Sequence, residues 1–451
     1  MSSLQALLVC IVFVLLLLWL ERRQSRGVSP SLWIPTLWML IIASRPLATW
    51  FVAPGGVTLG NDSGSALDRW VLTVLAVAAI VVLVNRRIHW WDCLRRHKWL
   101  LALLAYMLLS TFWSQITAIA LKRWIRELIV LLMALVMQSE VNPRQALESV
   151  LRRTAYVLLP FSIVLIKYYP ALGRAYGKYS GIEMWTGVTG QKNELGRLCM
   201  ISSFFLFFAL YRRWRDTASR RENRSQVWAD GFILLVALYL LVGSASSTSL
   251  ATLILGICTF IGLRLFRWWK LGVPQAALLV LVIVLMVFGV ATPFLGGSTV
   301  AGLTSTLGRN TTLTGRTEIW ADVIPAWEKQ PVLGYGFGSF WTDARRKLYR
   351  IPSSHNGYLD ILLELGEVGL AIYFVWLLSC ARKLHRAFAR DYDWASIALC
   401  FLLMGLIYNI SESALNTLTE HMTAVTVFAI FIVSIKTIPI AKYPPARPNQ
   451  R

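Results

Sequence analysis

The stretch 353-SSHNGYLDILLELGEVGLAIYF-374 joins a polar segment to a long apolar helical pattern. Its polar segment contains His355 and Asn356, and in the apolar run that follows the charged residues are Asp360, Glu364 and Glu367. The run continues to about residue 380, and a helix of about 17–25 such residues crosses a bilayer. The stretch therefore predicts a transmembrane helix with a titratable residue, His355, at its mouth.

Similar apolar runs recur along the whole chain of 451 residues, of which 56% are hydrophobic and 15% charged. A soluble protein would carry roughly 25% charged residues. We predict an all-α, polytopic bundle of about 12–13 transmembrane helices with a large, partly helical loop. The predicted spans are residues 4–20, 31–44, 69–84, 98–113, 123–138, 154–168, 194–211, 230–243, 248–265, 274–295, 358–380, 394–411 and 421–435.

The net charge of +22 invites a nucleic-acid interpretation, but the distribution of the charge argues against one. The basic clusters fall in every second loop, as the positive-inside rule requires. They occupy residues 21–26, 85–98, 212–224, 264–270 and 381–390 and the tail from Lys436. Thirteen spans with these loops inside place the N-terminus outside and the C-terminus inside. We expect no nucleic-acid partner.

The loops divide the chain into four segments. Residues 1–168 form the N-terminal transmembrane helices, and residues 169–295 form the central ones with a first long outer loop at 169–193. Residues 296–357 form the large outer loop, and residues 358–451 form the C-terminal helices with an inner tail. Loops longer than about 15 residues are uncommon unless they have a function, so we expect the chemistry in the two outer loops.

His355 and Arg316 are the candidate catalytic residues in the large outer loop. A histidine titrates near pH 6.5 and can accept a proton from an alcohol at neutral pH. An arginine outside the membrane can hold a phosphate or diphosphate through paired hydrogen bonds. The alternative for His355 is a structural role at the start of a helix, bonded to the loop.

Cations at the outer ends of two spans are candidate substrate-binding residues. Charges at this depth are costly and tend to face a water-filled cavity or an anionic ligand, although they can also extend towards lipid headgroups. Uncharged donors beside them would complete an anion site near a helix start. The candidates are Lys122, Arg123 and Arg126 in the first group and Lys192, Asn193 and Arg197 in the second.

Two further features of the outer side allow more than one interpretation. The turn GYGFG at residues 334–338 lets aromatic residues pack or lets a sugar approach, and Tyr335 is a candidate for stacking on that sugar. Asp360 and Glu364 could orient the His355 imidazole or hold a cation, or they could pair with Lys192 or Arg126 in the bundle. Because the outer loops contain no DxD or HxH cluster, we expect chemistry without a metal or another cofactor.

Two quoted segments resemble a known family. The stretch GRTEIWADVIPAWEKQPVLGYGFGSFW at 315–341, followed by the segment at 353–374, resembles the O-antigen ligase and Wzy-type polymerase superfamily. The stretch TGVTGQKNELG at 186–196 resembles its exopolysaccharide-polymerase branch. The resemblance covers roughly residues 185–375.

The resemblance implies a glycosyltransferase of the GT-C kind in the bacterial inner membrane. Such an enzyme takes a glycan carried on undecaprenyl diphosphate at the periplasmic face and transfers it, with inversion and without a metal, to a sugar hydroxyl. By this resemblance Arg316 binds the diphosphate, His355 orients or deprotonates the acceptor, and Asn356 helps to position it. Lys192 and Arg197 lie near the diphosphate. A flippase and a chain-length regulator are implied as partners.

Several functions stay open at this point. Transfer to another lipid-linked repeat unit makes the protein a polymerase, which the QKN stretch favours, and transfer to lipid A–core makes it a ligase. A transporter or flippase of an anionic lipid-linked solute would show matching halves, which the sequence does not offer. A structural scaffold would not need His355 or the outer cations.

Overall fold

The protein is an α-helical membrane bundle, which confirms the predicted fold class. The computed structural model describes residues 2–25, 27–51, 65–86, 91, 95–176, 183–216, 224–295 and 314–434. Part of the large predicted loop, residues 296–313, and the predicted inner tail lie outside the described residues, as does much of the basic segment 85–98.

Fifteen α-helices make up most of the described chain. They are α1 (Ser3–Gln24), α2 (Trp33–Ile42), α3 (Ala66–Asn85), α4 (Lys98–Ser110), α5 (Thr117–Gln138), α6 (Pro143–Tyr168), α7 (Lys192–Arg215), α8 (Arg224–Gly243), α9 (Ser247–Trp268), α10 (Gln275–Ala291), α11 (Thr314–Lys329), α12 (Asp343–Tyr349), α13 (Gly357–Phe388), α14 (Tyr392–Tyr408) and α15 (His421–Val433).

The remaining elements are short. Single helical turns lie at Pro30–Leu32, Leu47–Trp50, Thr111–Trp113, Pro170–Gly173 and Thr292–Phe294. Strands β1 (Arg174–Tyr176) and β2 (Glu183–Trp185) form an antiparallel hairpin in the first long loop. The sequence did not predict this hairpin.

Each predicted span corresponds to one helix of the described chain, and eight of these helices are long and apolar enough to cross a membrane. The largest boundary difference is in α6, which begins at Pro143 and not at residue 154. Asn142 caps it by accepting from the Gln145 N–H, and proline suits the first helical position. The early turns carry arginines that ion pairs neutralise: Arg153 meets Glu21 at 2.7 Å, and Arg152 meets Asp230 at 3.1 Å.

The bundle has two chemically different ends. We call the end at which α7 and α13 begin the loop end, and the end at which α6 begins the basic end. Ion pairs join helix ends at the basic end, as Arg86 and Glu140 do at 2.7 Å. At the loop end, Arg45 Nη2 donates to three carbonyls of the segment before α7, those of Leu172, Gly187 and Thr189, at 2.6–2.8 Å.

The centre of the bundle is built from α6, α7, α13, α14 and α15. All residues of α15 are buried, as expected of a helix that is apolar on every side. By contrast, α1 and α3 bury only 22% and 17% of their apolar windows. Their outward apolar faces suit contact with lipid.

Helix α13 is interrupted at Gly366, whose φ of 66° and ψ of −168° are accessible essentially to glycine alone. Residues 331–338, which we call the strap, dock against the break. The strap donates from the Tyr335 and Gly336 N–H groups to the Leu363 and Glu364 carbonyls at 2.9 and 2.8 Å. In return, its Pro331 and Val332 carbonyls accept from the backbone beyond the break at 2.9 and 3.2 Å.

The strap explains the glycines of GYGFG. The three glycines, Gly334, Gly336 and Gly338, have φ values of 65°, 92° and 61°, which glycine adopts without steric cost. A Cβ on Gly334 would lie 2.6 Å from the Gly366 nitrogen, and one on Gly366 would lie 2.2 Å from the Val332 carbonyl oxygen. The motif therefore lets two backbones meet, and its exchange of hydrogen bonds satisfies polar groups that the broken helix would leave unpaired.

A second hydrophobic cluster lies beneath the loop end. It combines Trp320 and Val323 of α11, Tyr335 of the strap, Phe340 and Trp341 after it, and Leu359 and Leu363 at the start of α13. This cluster fixes α11 and the segment before α13 against the bundle, so the residues they carry have defined positions.

Candidate active site

Glu412 is the centre of the candidate site, and the sequence analysis did not identify it. It follows α14, and its carboxylate is 9% exposed. Oε1 accepts from Arg316 Nη2 at 2.6 Å and from Asn193 Nδ2 at 2.8 Å, while Oε2 lies 3.4 Å from His355 Nδ1. We call Glu412, Arg316, His355 and Asn193 the Glu412 cluster.

The backbone before α13 places His355 beside Glu412. The Gly357 N–H donates to the carbonyls of Asn409 and Glu412 at 2.9 and 3.1 Å. A Cβ on Gly357 would lie 2.2 Å from Asn409 Oδ1, so only glycine allows this approach. Asn356 reinforces the contact because its Nδ2 donates to the Ile410 carbonyl at 3.0 Å.

His355 itself has an unusual backbone conformation, with φ of 55°. Left-handed backbone is uncommon outside glycine, and it clusters at functional sites where the surroundings impose it. The side chain is 22% exposed. With Nδ1 facing Glu412, Nε2 is the ring nitrogen left for another partner. A histidine paired with a carboxylate in this way suits general-base chemistry.

Arg316 reaches the site from the first turns of α11. Trp320, one turn further on, donates from Nε1 to the Ser354 carbonyl at 2.9 Å, which ties α11 to the segment that carries His355. Arg316 is 14% exposed and uses Nη2 for Glu412. A guanidinium has five N–H donors in a planar fork, so donors remain for a phosphate group.

The second predicted group lies at the start of α7, and two of its members contact different carboxylates. Asn193 joins Glu412, whereas Arg197 pairs with Glu420 at 2.8 Å and is largely buried. The structure thus brings Asn193 together with His355 and Arg316. Lys192 precedes Asn193 in the sequence and is a half-buried cation without an ion-pair partner among the described residues.

The first predicted group, on α5, separates into two faces. Lys122 and Arg126 are exposed, and their neighbour Ile125 is 52% exposed, so this face meets lipid and water. Arg123 points inward, where Nη1 donates to the Gly338 carbonyl of the strap. Glu127, which the sequence analysis also missed, is fully buried and accepts from the Leu418 and Thr419 N–H groups of the loop that carries Glu412.

Three predicted substrate-binding residues have their polar atoms bonded within the protein. Asn356 is fully buried and caps α13, with Oδ1 accepting from the Tyr358 and Leu359 N–H groups. Tyr335 donates its hydroxyl to the Ala326 carbonyl at 3.0 Å. Glu364 Oε2 accepts from the Gly338 N–H at 3.1 Å. These contacts hold the loops around the site in place.

Asp360 and Glu364 were candidates for orienting the His355 imidazole, but neither carboxylate contacts it among the hydrogen bonds of the described residues. Asp360 accepts from Trp341 Nε1 at 2.9 Å and from the Ser354 N–H at 3.2 Å, and Glu364 bonds to the strap. Glu412 makes the contact with His355. Among the described residues, no group of three or more His, Cys, Asp or Glu side chains could hold a metal ion.

The arrangement combines three chemical capacities at the loop end. His355 supplies an imidazole, Glu412 a carboxylate and Arg316 a guanidinium, and these groups suit a base, its countercharge and an anion-binding group. The sequence contained one signal for Glu412, since 409-NISESALNTLTEH-421 is a short polar segment between two apolar spans. Nothing local, however, distinguishes its two glutamates.

Comparisons with known proteins agree with this picture. The sequence model of the O-antigen ligase family matches residues 232–374, which include Arg316 and His355. The chain is also 26% identical over 321 residues to the exopolysaccharide production protein ExoQ of Rhizobium meliloti (strain 1021), covering 67% of this chain and 69% of that protein. The predicted resemblance to the O-antigen ligase and Wzy-type superfamily, on its exopolysaccharide side, is confirmed. These similarities support a ligase-like or polymerase-like function for this multi-pass membrane protein.

Proposed function

We propose that the protein is a glycosyltransferase of the GT-C kind that polymerises oligosaccharide repeat units carried on undecaprenyl diphosphate. The observation that carries the proposal is the Glu412 cluster, which joins a base, a countercharge and a phosphate-binding arginine at one end of a membrane bundle. The similarity to the exopolysaccharide production protein favours polymerisation over ligation.

The donor would reach the site from the bilayer. Its diphosphate would contact Arg316 and Lys192, and the exposed cations Lys122 and Arg126 would attract it from the membrane interface. A lipid-facing position is supported by the apolar side chains beside those two cations, since Ile125 and Leu121 are 52% and 40% exposed. Charges at this depth favour an anionic ligand.

In the proposed reaction, the acceptor hydroxyl attacks the anomeric carbon from the face opposite the diphosphate. The new C–O bond forms as the bond to the diphosphate oxygen breaks, so the configuration inverts. His355 takes the hydroxyl proton at Nε2, and Glu412 stabilises the resulting imidazolium. The leaving diphosphate carries away the electron pair, and Arg316 stabilises its charge as fixed donors do in other transfer reactions.

We propose that the loop end faces the periplasm and that the membrane is the bacterial inner membrane. The distribution of basic residues supports this orientation. Arg212, Arg213 and Arg215 end α7 at the basic end, and Arg264 lies near the end of α9 there. The positive-inside rule places such ends in the cytoplasm. A flippase and a chain-length regulator are proposed partners.

The experiment is an assay of the purified protein in nanodiscs with a native undecaprenyl-diphosphate-linked repeat unit, with and without EDTA. Products are separated on gels and identified by mass spectrometry. A ladder of lipid-linked oligomers, unchanged by EDTA, is the expected result. Transfer only onto added lipid A–core would make the protein a ligase. Absence of transfer to either acceptor, with the folded protein and native substrate, would refute the enzymatic proposal.

A further inference from the structure

A polar cavity of about 680 Å³ lies at the basic end, far along the bundle from the Glu412 cluster. It is framed by the end of α1, the start of α6, the end of α7, the start of α8 and the turn between α13 and α14. Five arginines line it: Arg144, Arg152, Arg212, Arg213 and Arg215. Four carboxylates share the lining: Glu148, Asp216, Asp391 and Asp393.

Ion pairs hold this frame together, yet cations outnumber carboxylates in it. Arg144 pairs with Asp391 at 2.6 Å, and Asp393 is contacted by Arg215 and by two further arginines of α9, Arg264 and Arg267. Behind the lining, Asp230 is shared by Arg152 and Arg213. Seven arginines therefore meet five carboxylates, and the surplus is positive.

Two buried donors on the cavity wall have no acceptor within hydrogen-bond distance among the described residues: Arg152 Nη2 and Gln226 Nε2. Their residues are 2% and 1% exposed. A carboxylate oxygen of Glu148 lies 3.9 Å from Arg152 Nη2, which is too far for a hydrogen bond. Both residues belong to one network, because Arg213 contacts Asp230 beside Arg152 and donates to Gln226 Oε1 at 2.6 Å. The lining also holds one buried acceptor without a partner in the described part of the chain, Gln24 Oε1. Leaving buried donors unpaired is costly, so a ligand whose oxygens reach Arg152 Nη2 and Gln226 Nε2 would be stabilised in the cavity.

We propose that this basic-end cavity binds a phosphate-bearing anion, whose oxygens accept from Arg152, Gln226 and the arginines around them. The acceptor-rich, multiply charged phosphate group matches an excess of fixed N–H donors. The anion is either a soluble phosphate compound or the headgroup of a membrane lipid. The inference does not depend on the glycosyltransferase proposal.

Ligand binding here would act on helices that also build the loop end. α7 runs from Asn193 to the arginines of the cavity, and α14 runs from Asp393 to the segment that carries Glu412. A ligand that changes the spacing of α7 and α14 at the basic end would therefore act on the two helices whose other ends carry Asn193 and lead to Glu412.

The test is calorimetric titration of the full-length protein, in phosphatidylcholine nanodiscs, with inorganic pyrophosphate. The key variant is Gln226→Glu, which keeps an oxygen for Arg213 and replaces the free donor by a repelling carboxylate. Two controls each remove one positive charge elsewhere. Arg382→Gln changes an exposed residue outside the lining, and Arg316→Gln removes diphosphate binding at the loop end.

Saturable binding that is weakened about tenfold or more by Gln226→Glu, and retained in both controls, is the expected result. If Gln226→Glu does not fold, the double variant Arg144→Gln with Arg215→Gln replaces it, since those side chains are 41% and 48% exposed. Binding that is absent, or is equal in the cavity variants and the wild type, overturns the proposal. Loss of pyrophosphate binding in phosphatidylglycerol nanodiscs identifies a lipid headgroup as the occupant, and unchanged binding identifies a soluble phosphate compound.

Discussion

Replacement of Glu412 by glutamine is the sharpest test of the candidate site. The substitution keeps the shape of the side chain and one oxygen acceptor but removes the charge. In the wild type that charge receives Arg316 at 2.6 Å and Asn193 at 2.8 Å and faces His355 Nδ1 at 3.4 Å. We expect Glu412→Gln to lower the turnover number while the protein still inserts and folds.

The magnitude follows from two contacts. A hydrogen bond to a charged group contributes about 1.5–3 kcal/mol. Because Arg316 keeps its charge and an amide oxygen remains as its acceptor, only part of this contribution is lost, and we take about 1 kcal/mol. Unit charges 4 Å apart near a protein surface attract by about 4 kcal/mol. Because water reaches His355, which is 22% exposed, we take about 2 kcal/mol for the loss of the imidazolium countercharge. Together these losses correspond to a decrease in turnover of about a hundredfold.

The assay measures the initial rate of oligomer formation from the lipid-linked repeat unit at saturating donor. Glu183→Gln is the matched control, because it removes the same charge at the same end of the bundle. Glu183 pairs with Arg174 at 3.0 Å and is 38% exposed, and such a surface pair contributes about 0–1 kcal/mol. Glu412→Asp should recover part of the rate, since it restores the charge at a longer distance.

A wild-type rate in Glu412→Gln, at equal membrane abundance and equal melting temperature, would refute the role of Glu412 as countercharge. An equal loss of rate in Glu183→Gln would show that the assay responds to surface charge in general. A large fall in the melting temperature of Glu412→Gln would assign the residue to stability, and Glu412→Asp would then decide whether the charge matters separately for the rate.

His355→Gln should lower turnover by about 10²–10⁴-fold without changing the melting temperature, and an unchanged rate would contradict its role as base. Lys122→Gln should raise the KM for the lipid-linked donor and leave stability unaltered, because the side chain is exposed. Arg123→Gln should instead destabilise the protein by about 1–3 kcal/mol, because Arg123 holds the strap at Gly338; similar KM and stability effects in both variants would contradict this division. Gly366→Ala should lower the free energy of unfolding by about 1–3 kcal/mol or more, measured by thermal denaturation. The control Gly262→Ala should not lower it, because nothing lies within 4 Å of the added Cβ. Equal melting temperatures of the two variants would disprove the tight fit of the strap.

Parts of the candidate site were predictable because their residue types are unusual for their positions. A histidine and an arginine in an outer loop of an apolar chain call for an explanation, and the resemblance supplied one for both. Glu412 could not be found in this way. It lies 57 residues from His355 and 96 from Arg316 in the sequence, and no local pattern encodes a contact over such a separation.

The division among the polar residues at the mouth of α13 was equally hidden. Asn356, Glu364 and Tyr335 have side chains that could bind a sugar or satisfy the protein's own backbone. Which of these they do depends on whether a carbonyl or N–H group lies within hydrogen-bond distance, and the folded chain supplies one for each. The same holds for Arg123 and its exposed neighbour Lys122, which the sequence placed in one group.

The sequence by itself determined the class of the protein, the positions and order of its apolar helices and the loops in which His355 and Arg316 lie. It could do so because the thickness of a bilayer and the cost of unpaired backbone groups in lipid act on local composition. Only the tertiary structure decided that α13 breaks at Gly366 to receive the strap, and that Glu412 joins His355, Arg316 and Asn193. These are pairings between distant segments, and their free energy comes from distances and burial that exist only after the helices pack.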